Sequence, residues 1–241
     1  MPRRFRRLVV APLALAAVAL AAAPAGAANG ATDSQIAKAG TIVAGDLGAG
    51  WVAGPPDTSG DKVITKLAAK TKGCDDYAAT RTSLDTTTDA ASPGFQQTSQ
   101  QLSNHSYVYK REAAAKRAFQ HAAAPGVADC FTDLFTKVFG QQLRSDPQNA
   151  SQVQGYRVKI VDLPDADNAI GDESVGYTGG AQILGTDGST TNLSLTSILV
   201  RVGRVILTYS YSWDADASQA SPSVDTAVTN TVGRTQAALG S

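Results

Sequence analysis

Apolar and polar positions change their period about two thirds of the way along this chain. The first part repeats mostly at three and four residues, the second at two. In "SQIAKAGTIVAGDLGAGW", Ile36, Ala39 and Val43 fall at helical spacing until Gly45 and Gly48 interrupt them. Trp51 follows as a core anchor, and Pro55-Pro56 are expected to stop regular structure. "DKVITKLAAKTKGCDDYAATRTSL" predicts a second helix, with Val63, Ile64, Leu67, Ala68 and Cys74 on one face and Gly73 as its weak point. "FQQTSQQLSNHSYVYK" ends in alternation and predicts a strand. Leu102, Asn104, Ser106 and Val108 point one way, and Ser103, His105, Tyr107 and Tyr109 the other.

"REAAAKRAFQHAAA" is helical by its alanines, with Ala115, Ala118, Phe119 and Ala122 on one side, and Pro125-Gly126 break it. "VADCFTDLFTKVFGQQL" carries the strongest apolar stripe: Val127, Cys130, Phe131, Leu134, Phe135, Val138 and Phe139. Such a stripe reads as a core face before a cofactor box, and it turns Cys130 inward. From "QGYRVKIVDL" onward the period is two, with Tyr156, Val158 and Ile160 set against Arg157 and Lys159. "ESVGYTGGAQILG", "TTNLSLTSILV" and "RVILTYSYSW" predict three more strands, joined by turns at Thr186-Asp187-Gly188-Ser189 and at Gly203. Ser221-Pro222 opens a last helix, whose face is Val224, Val228, Val232 and Leu239 and which Gly240 ends. The expectation is an α+β fold: an antiparallel sheet of about five strands, half-buried on one side, with helices packed on it.

Composition adds the compartment. "MPRRFRRLVVAPLALAAVALAAAPAGAANG" has a basic start, an apolar run from Leu8 to Ala23 and the small-x-small pattern Ala25-Gly26-Ala27, so residues 1–27 are expected to be a signal peptide cleaved after Ala27. Its arginine pairs also permit twin-arginine export. No cysteine follows the apolar run to take a lipid, so no membrane anchor is expected after cleavage. Residues 28–33 read as a disordered lead-in, and 34–241 as one domain, a length that suits a single core. The full chain balances 21 Lys+Arg against 21 Asp+Glu. Cleavage removes Arg3, Arg4, Arg6 and Arg7 and no acid, so the mature chain is mildly acidic and lacks the basic patch that nucleic-acid binding requires. The cysteines are two, Cys74 and Cys130, and in an exported chain they read as a disulfide. With no His pair nearby they do not make a metal set.

Several short motifs resemble a known family. "DLGAGW", "SYVYKREAAAKRAF…ADC", "IGDESVGY" and "ILVRVGRVILTY" are similar to the PknH-like extracellular sensor domains of actinobacterial receptor kinases and lipoproteins, over about Ile36 to Leu239. The resemblance implies an α+β domain with a cleft for an extracellular ligand. The chain departs from it by lacking the cysteines for a second disulfide and for a lipid anchor. It also has no kinase domain and no transmembrane helix, so on this reading it does not signal alone.

Candidate chemistry centres on "NAIGDESVGYTGG". A nucleophile elbow at Ser174 needs glycine two residues before and after it; Gly176 is present, but the other position is Asp172. The bases on offer are His105 and His121. Asp162, Asp165, Asp167, Asp172 and Glu173 do not form a calcium loop, because from Asp165 the fifth position is Ala169 and the required glycine is Ile170. Asp172 and Glu173, as neighbours on a strand, are expected on opposite faces, which does not suit a carboxylate pair across a cleft. The stretch reads as a connection, a turn at Gly171 and a strand entry, with no catalytic residue assigned. Tyr209, Tyr211 and Trp213 share one sheet face. They are either core or an apolar ligand platform rimmed by Asp214 and Asp216. The sequence therefore predicts a secreted, non-enzymatic, sensor-like binding domain without a cofactor or metal, taking a small apolar or amphipathic ligand at Tyr209, Tyr211 and Trp213, or else an envelope protein. The alternatives are a secreted hydrolase and an envelope interaction module that uses an outer face.

Overall fold

The computed structural model describes residues 30–56, 59–81, 85–145, 151–163, 170–216, 221 and 223–240. The signal-peptide reading, Asp165, Asp167 and Pro222 lie outside them. Helix α1 (Asp33–Ala39) starts at Thr32, whose side chain accepts from the Gln35 N–H while Gln35 reaches back to the Thr32 N–H, a reciprocal cap. A single 3-10 turn follows (Ala44–Asp46), then strand β1 (Val52–Pro56). Next come α2 (Ser59–Ala68), α3 (Asp75–Arg81), β2 (Thr86–Ala91), β3 (Pro93–Gln97) and β4 (Gln100–Tyr109). They are followed by α4 (Glu112–Ala122), α5 (Val127–Ser145), β5 (Val153–Asp162), β6 (Glu173–Gly185), β7 (Thr190–Val202), β8 (Val205–Asp214) and α6 (Ser223–Leu239).

The α+β antiparallel class holds, but the described residues form an 8-stranded sheet, not about five. The order is β1-β3-β4-β8-β7-β6-β5, with β2 also on β4. The three unforeseen strands lie at one edge. β2 and β3 share the same side of β4, Ala91 opposite His105 and Phe95 opposite Leu102, with Ser92 between them. Pro93 has no N–H to give, so the ladder breaks there. Ser92 bridges the gap: its hydroxyl accepts the Asn104 N–H at 2.9 Å, and its own N–H reaches the Asn104 carbonyl at 2.9 Å. β1 is exposed along its length and contains Pro55-Pro56, which an edge strand tolerates. The helix expected across Gly73 is two. Gly73 takes φ +83°, and Cys74 stands at the head of α3, its carbonyl accepting the Ala78 N–H.

Both sheet faces are covered, where one covered face was expected. On one face α1 and α6 close over Leu102, Val108, Val200, Val205, Leu207 and Tyr209, all buried. Asn104 ties this layer down. Its side chain accepts the Ile42 N–H at 2.8 Å and donates to the Gly40 carbonyl at 2.7 Å. A Cβ on Gly40 would stand 2.5 Å from the Ser106 hydroxyl and 2.6 Å from Leu207, so only glycine allows this approach. Arg234 of α6 clamps the 3-10 turn, donating to Asp46 at 2.6 and 2.8 Å and to the Thr41 carbonyl at 2.8 Å.

On the other face α3, α4 and α5 pack over β5 to β8. Tyr77, Phe119, Phe131 and Leu134 meet Val158, Ile160, Tyr177 and Leu199. Phe131 stands edge-on between Tyr77 and Tyr177, at 4.8 Å from each. The Thr132 hydroxyl accepts the Ile160 N–H at 2.9 Å, so α5 satisfies an amide on edge strand β5. Gly179 in β6 is a close approach: its Cβ would fall 2.0 Å from the Lys159 carbonyl. Cys74 and Cys130 are joined and buried, linking α3 to α5 across a separation of 56 residues.

Two predictions follow from these anchors. Closing that loop contributes roughly 4 kcal/mol in the chain-entropy view. The Cys74→Ala/Cys130→Ala double variant should therefore lose about 3–4 kcal/mol of unfolding free energy in urea titration. The second concerns Asp46. Burial works against its charge, but the Arg234 guanidinium and the Val43 N–H outweigh it and hold the carboxyl below its ordinary 3.8. A depressed acid contributes its stability above the unfolded value and loses it as pH falls through the folded one. Asp46→Asn should cost about 2 kcal/mol at neutral pH, between an exposed and a fully buried pair. The gap to the parent should close below about pH 3.8, read from denaturation midpoints across pH.

Candidate functional site

Sheet alternation decides what stands beneath α2 to α5. Pairing places Ser103 of β4 opposite Ser210 of β8, and Ser210 opposite Ser197 of β7. Three serines thus form one row across three adjacent strands. One row further along, His105 is opposite Thr208, and Thr208 is opposite Leu199. Beyond that, Tyr107 faces Ile206. None of the Ser103, Ser197 and Ser210 hydroxyls has a hydrogen-bond partner among the described residues.

These rows are the floor of a cavity of about 610 Å³. Its roof is mostly apolar, with Ile64 from α2, Ala118 from α4, and Phe131, Leu134, Phe135 and Val138 from α5, and it also includes Thr65 of α2 and Tyr77 of α3. The volume falls in the ~300–1,000 Å³ range of small-molecule sites. The His105 ring stacks on Tyr107, centroids 4.3 Å apart, and its Nε2 lies 2.6 Å from the Asp89 carboxylate. Lys66 and Asp89 are the charged side chains along the described wall, both exposed. Among the described residues no cluster of three or more His, Cys, Asp or Glu is placed to hold a metal ion.

The aromatic trio lies on the opposite face of the sheet from this cavity. Tyr209 is 1 % exposed, and its hydroxyl lies 2.5 Å from that of Thr231 on α6; burial pushes its pKa up. Tyr211 is buried too, donating to Gln100 at 2.8 Å and accepting the Ser221 N–H at 2.7 Å. Trp213 is half-buried and stacks on Tyr211 at 4.8 Å. The three rings are together, as alternation requires, on the face that α6 covers, with Tyr209 packed on Thr231 and Trp213 half-buried. Asp216 accepts the Asn192 N–H at 2.9 Å, and Asp214 accepts the Asp216 N–H at 3.0 Å, so both acids serve the end of the β7–β8 pair. Trp51 also anchors α6, donating to Ser223 at 3.2 Å.

Asp172 and Glu173 converge instead of diverging, because Asp172 precedes the strand that Glu173 begins. Both grip Arg201, at 3.0 and 2.5 Å, with Glu112 at 3.3 Å. Asp172 also accepts the Gly203 N–H at 2.6 Å, which fastens the β7–β8 turn. Burial opposes the charge of Arg201, yet Glu173, then Asp172 and Glu112, raise its pKa above the ordinary guanidinium value. Ser174 pairs with Val200, on the α6 face. His105 is on the cavity face, and His121 of α4 is engaged with Asp76 at 2.8 Å. The structure therefore does not bring Ser174 to either histidine. The serine row was the feature sequence reading passed over. Its signal was present in the alternation of Ser103 and His105, but such positions also describe a solvated face.

No family model and no curated protein matches the chain. Among solved structures it is similar to the extracellular domain of PknH from Mycobacterium tuberculosis, at 8% identity and TM-score 0.39, over 68% of this chain and 75% of that one. It is also similar to PA94, a protein of unknown function from Pseudomonas aeruginosa, at 14% identity and TM-score 0.18, over 56% of this chain and 74% of that one. At these values the likeness is one of general outline.

The Arg201 cluster yields the prediction of this site. Arg201→Met removes the buried cation and leaves three carboxylates facing one another. It should cost about 2–4 kcal/mol, less than a fully buried pair because Glu112 and Asp172 reach solvent. Urea denaturation reads the loss, and a variant as stable as the parent would count against the cluster as the lock of the β7–β8 turn.

Proposed function

We propose that this chain is an exported, non-enzymatic, sensor-like binding domain whose small-molecule ligand occupies the cavity between α2–α5 and the sheet. The observation that carries the reading is the cavity itself, about 610 Å³ with a mostly apolar helix roof over a floor whose Ser103, Ser197 and Ser210 hydroxyls have no hydrogen-bond partner among the described residues. An apolar enclosure with a few convergent polar groups is the usual make-up of a ligand site. Export is supported by the leader-like start of the sequence and by the buried Cys74–Cys130 bridge, a bond that oxidising compartments favour. The non-enzymatic reading is supported by the separation of Ser174 from His105 and His121 on opposite sides of the sheet.

Native mass spectrometry of protein purified from its own culture medium tests this directly. A bound small molecule should be present in the parent. It should be absent from Ser210→Trp, which fills the floor at an exposed strand position where an aromatic is tolerated. Unchanged occupancy in that variant would place the ligand elsewhere. A protein recovered empty, which also binds nothing from envelope extracts, would sink the reading.

A further inference from the structure

The two sides of the cavity differ in chemistry, and that difference names a class of ligand. The α5 part of the roof offers Phe131, Leu134, Phe135 and Val138, all apolar, while Thr65 and Tyr77 are the hydroxyls on the helix side. The floor offers Ser103, Ser210 and Ser197 in register across β4, β8 and β7. Strands stand about 4.8 Å apart, so three hydroxyls span roughly 10 Å. That length exceeds a single alcohol head and suits a ring or chain bearing several hydroxyls. Each serine both donates and accepts, as each hydroxyl of a polyol does, so the two surfaces can satisfy one another without a charge.

A carboxylate or phosphate head would call for cationic or clustered N–H donors. The strand N–H groups under the row are committed to the sheet ladders. Asp89 is held by His105, and Lys66 stands exposed at the rim. A cationic head would call for an acidic or aromatic cage at the row; the acid of the wall, Asp89, is held by His105, and Tyr107 stands two rows from the serines. We propose that the cavity takes a neutral amphiphile, its polyhydroxy head along Ser103, Ser210 and Ser197 and its apolar body under α5. This rests on the cavity reading above and specifies its ligand.

Isothermal titration of the full chain with decyl maltoside, decanoate and decyltrimethylammonium, each below its micellar concentration, separates the classes. Decyl maltoside should bind at least tenfold more tightly than either charged amphiphile. The Ser103→Ala/Ser197→Ala/Ser210→Ala variant should lose about threefold to tenfold per serine, as neutral hydrogen bonds do. If the triple variant does not fold, Ser210→Ala alone, at an exposed position, should still show one such step. Decanoate binding as tightly as the maltoside, with loss in Lys66→Ala, would overturn the neutral-head assignment and leave the cavity reading standing. Maltoside affinity unaffected by the serine variants would overturn it likewise. Binding of none of the three overturns this ligand class, while native mass spectrometry decides the cavity reading separately.

Discussion

The register of β8 between β4 and β7 is the constraint on which both halves of the molecule depend. From Val108↔Val205 to Gln100↔Trp213 the pairing with β4 runs without a break, and the pairing with β7 is unbroken from Val202↔Val205 to Leu193↔Asp214. A slip of one residue would exchange the faces. It would drive Ser210 and Thr208 into the packing with α6 and lift Tyr209 and Leu207 under α5. Burying unpaired hydroxyls while exposing a tyrosine and a leucine is costly on both counts. The same arithmetic that holds the fold in register therefore fixes which face receives the hydroxyls.

What keeps the two faces different is the helix layer on each. On the α6 side, Gly40 admits contact so close that a Cβ would not fit, and Asn104 and Arg234 fasten the layer by backbone carbonyls. On the α5 side Cys74–Cys130 and the Tyr77–Phe131 contact join helices to each other, and Phe131 against Tyr177 seats α5 on β6. A roof seated on β5 and β6 leaves room over the serine row of β4, β8 and β7. Its apolar groups still leave water, but the serine row is not forced into a dry contact.

Much of this was legible in the sequence, and the failures have physical causes. The stripes of α4 and α5 and the alternation of β4, β5, β7 and β8 mark elements that each bury one face, so period and burial agree. β1, β2 and β3 escaped because "VAGPP", "TTTDAA" and "PGFQQ" lie on an edge, are short, and carry little apolar alternation. The pairing of Asp172 with Glu173 was misjudged because alternation applies only inside a strand, and Asp172 stands one residue before it.

The largest difference concerns the polar positions of β4 and β8. Ser103, His105, Thr208 and Ser210 read as a solvent face, which is what alternation with polar residues ordinarily means. A pocket left between helices and sheet produces the same pattern, because a polar floor that solvent can reach obeys the same solvation rule as an outer surface. The aromatic face read as either core or a binding platform, and Tyr209 and Tyr211 are where ring area belongs when close packing is available, their hydroxyls satisfied by Thr231 and Gln100. Sequence alternation separates the two faces of a sheet; it does not say which of them faces an empty space. That distinction comes from the helices, and here from α5 seating on β5 and β6 while the pocket lies over β4, β8 and β7.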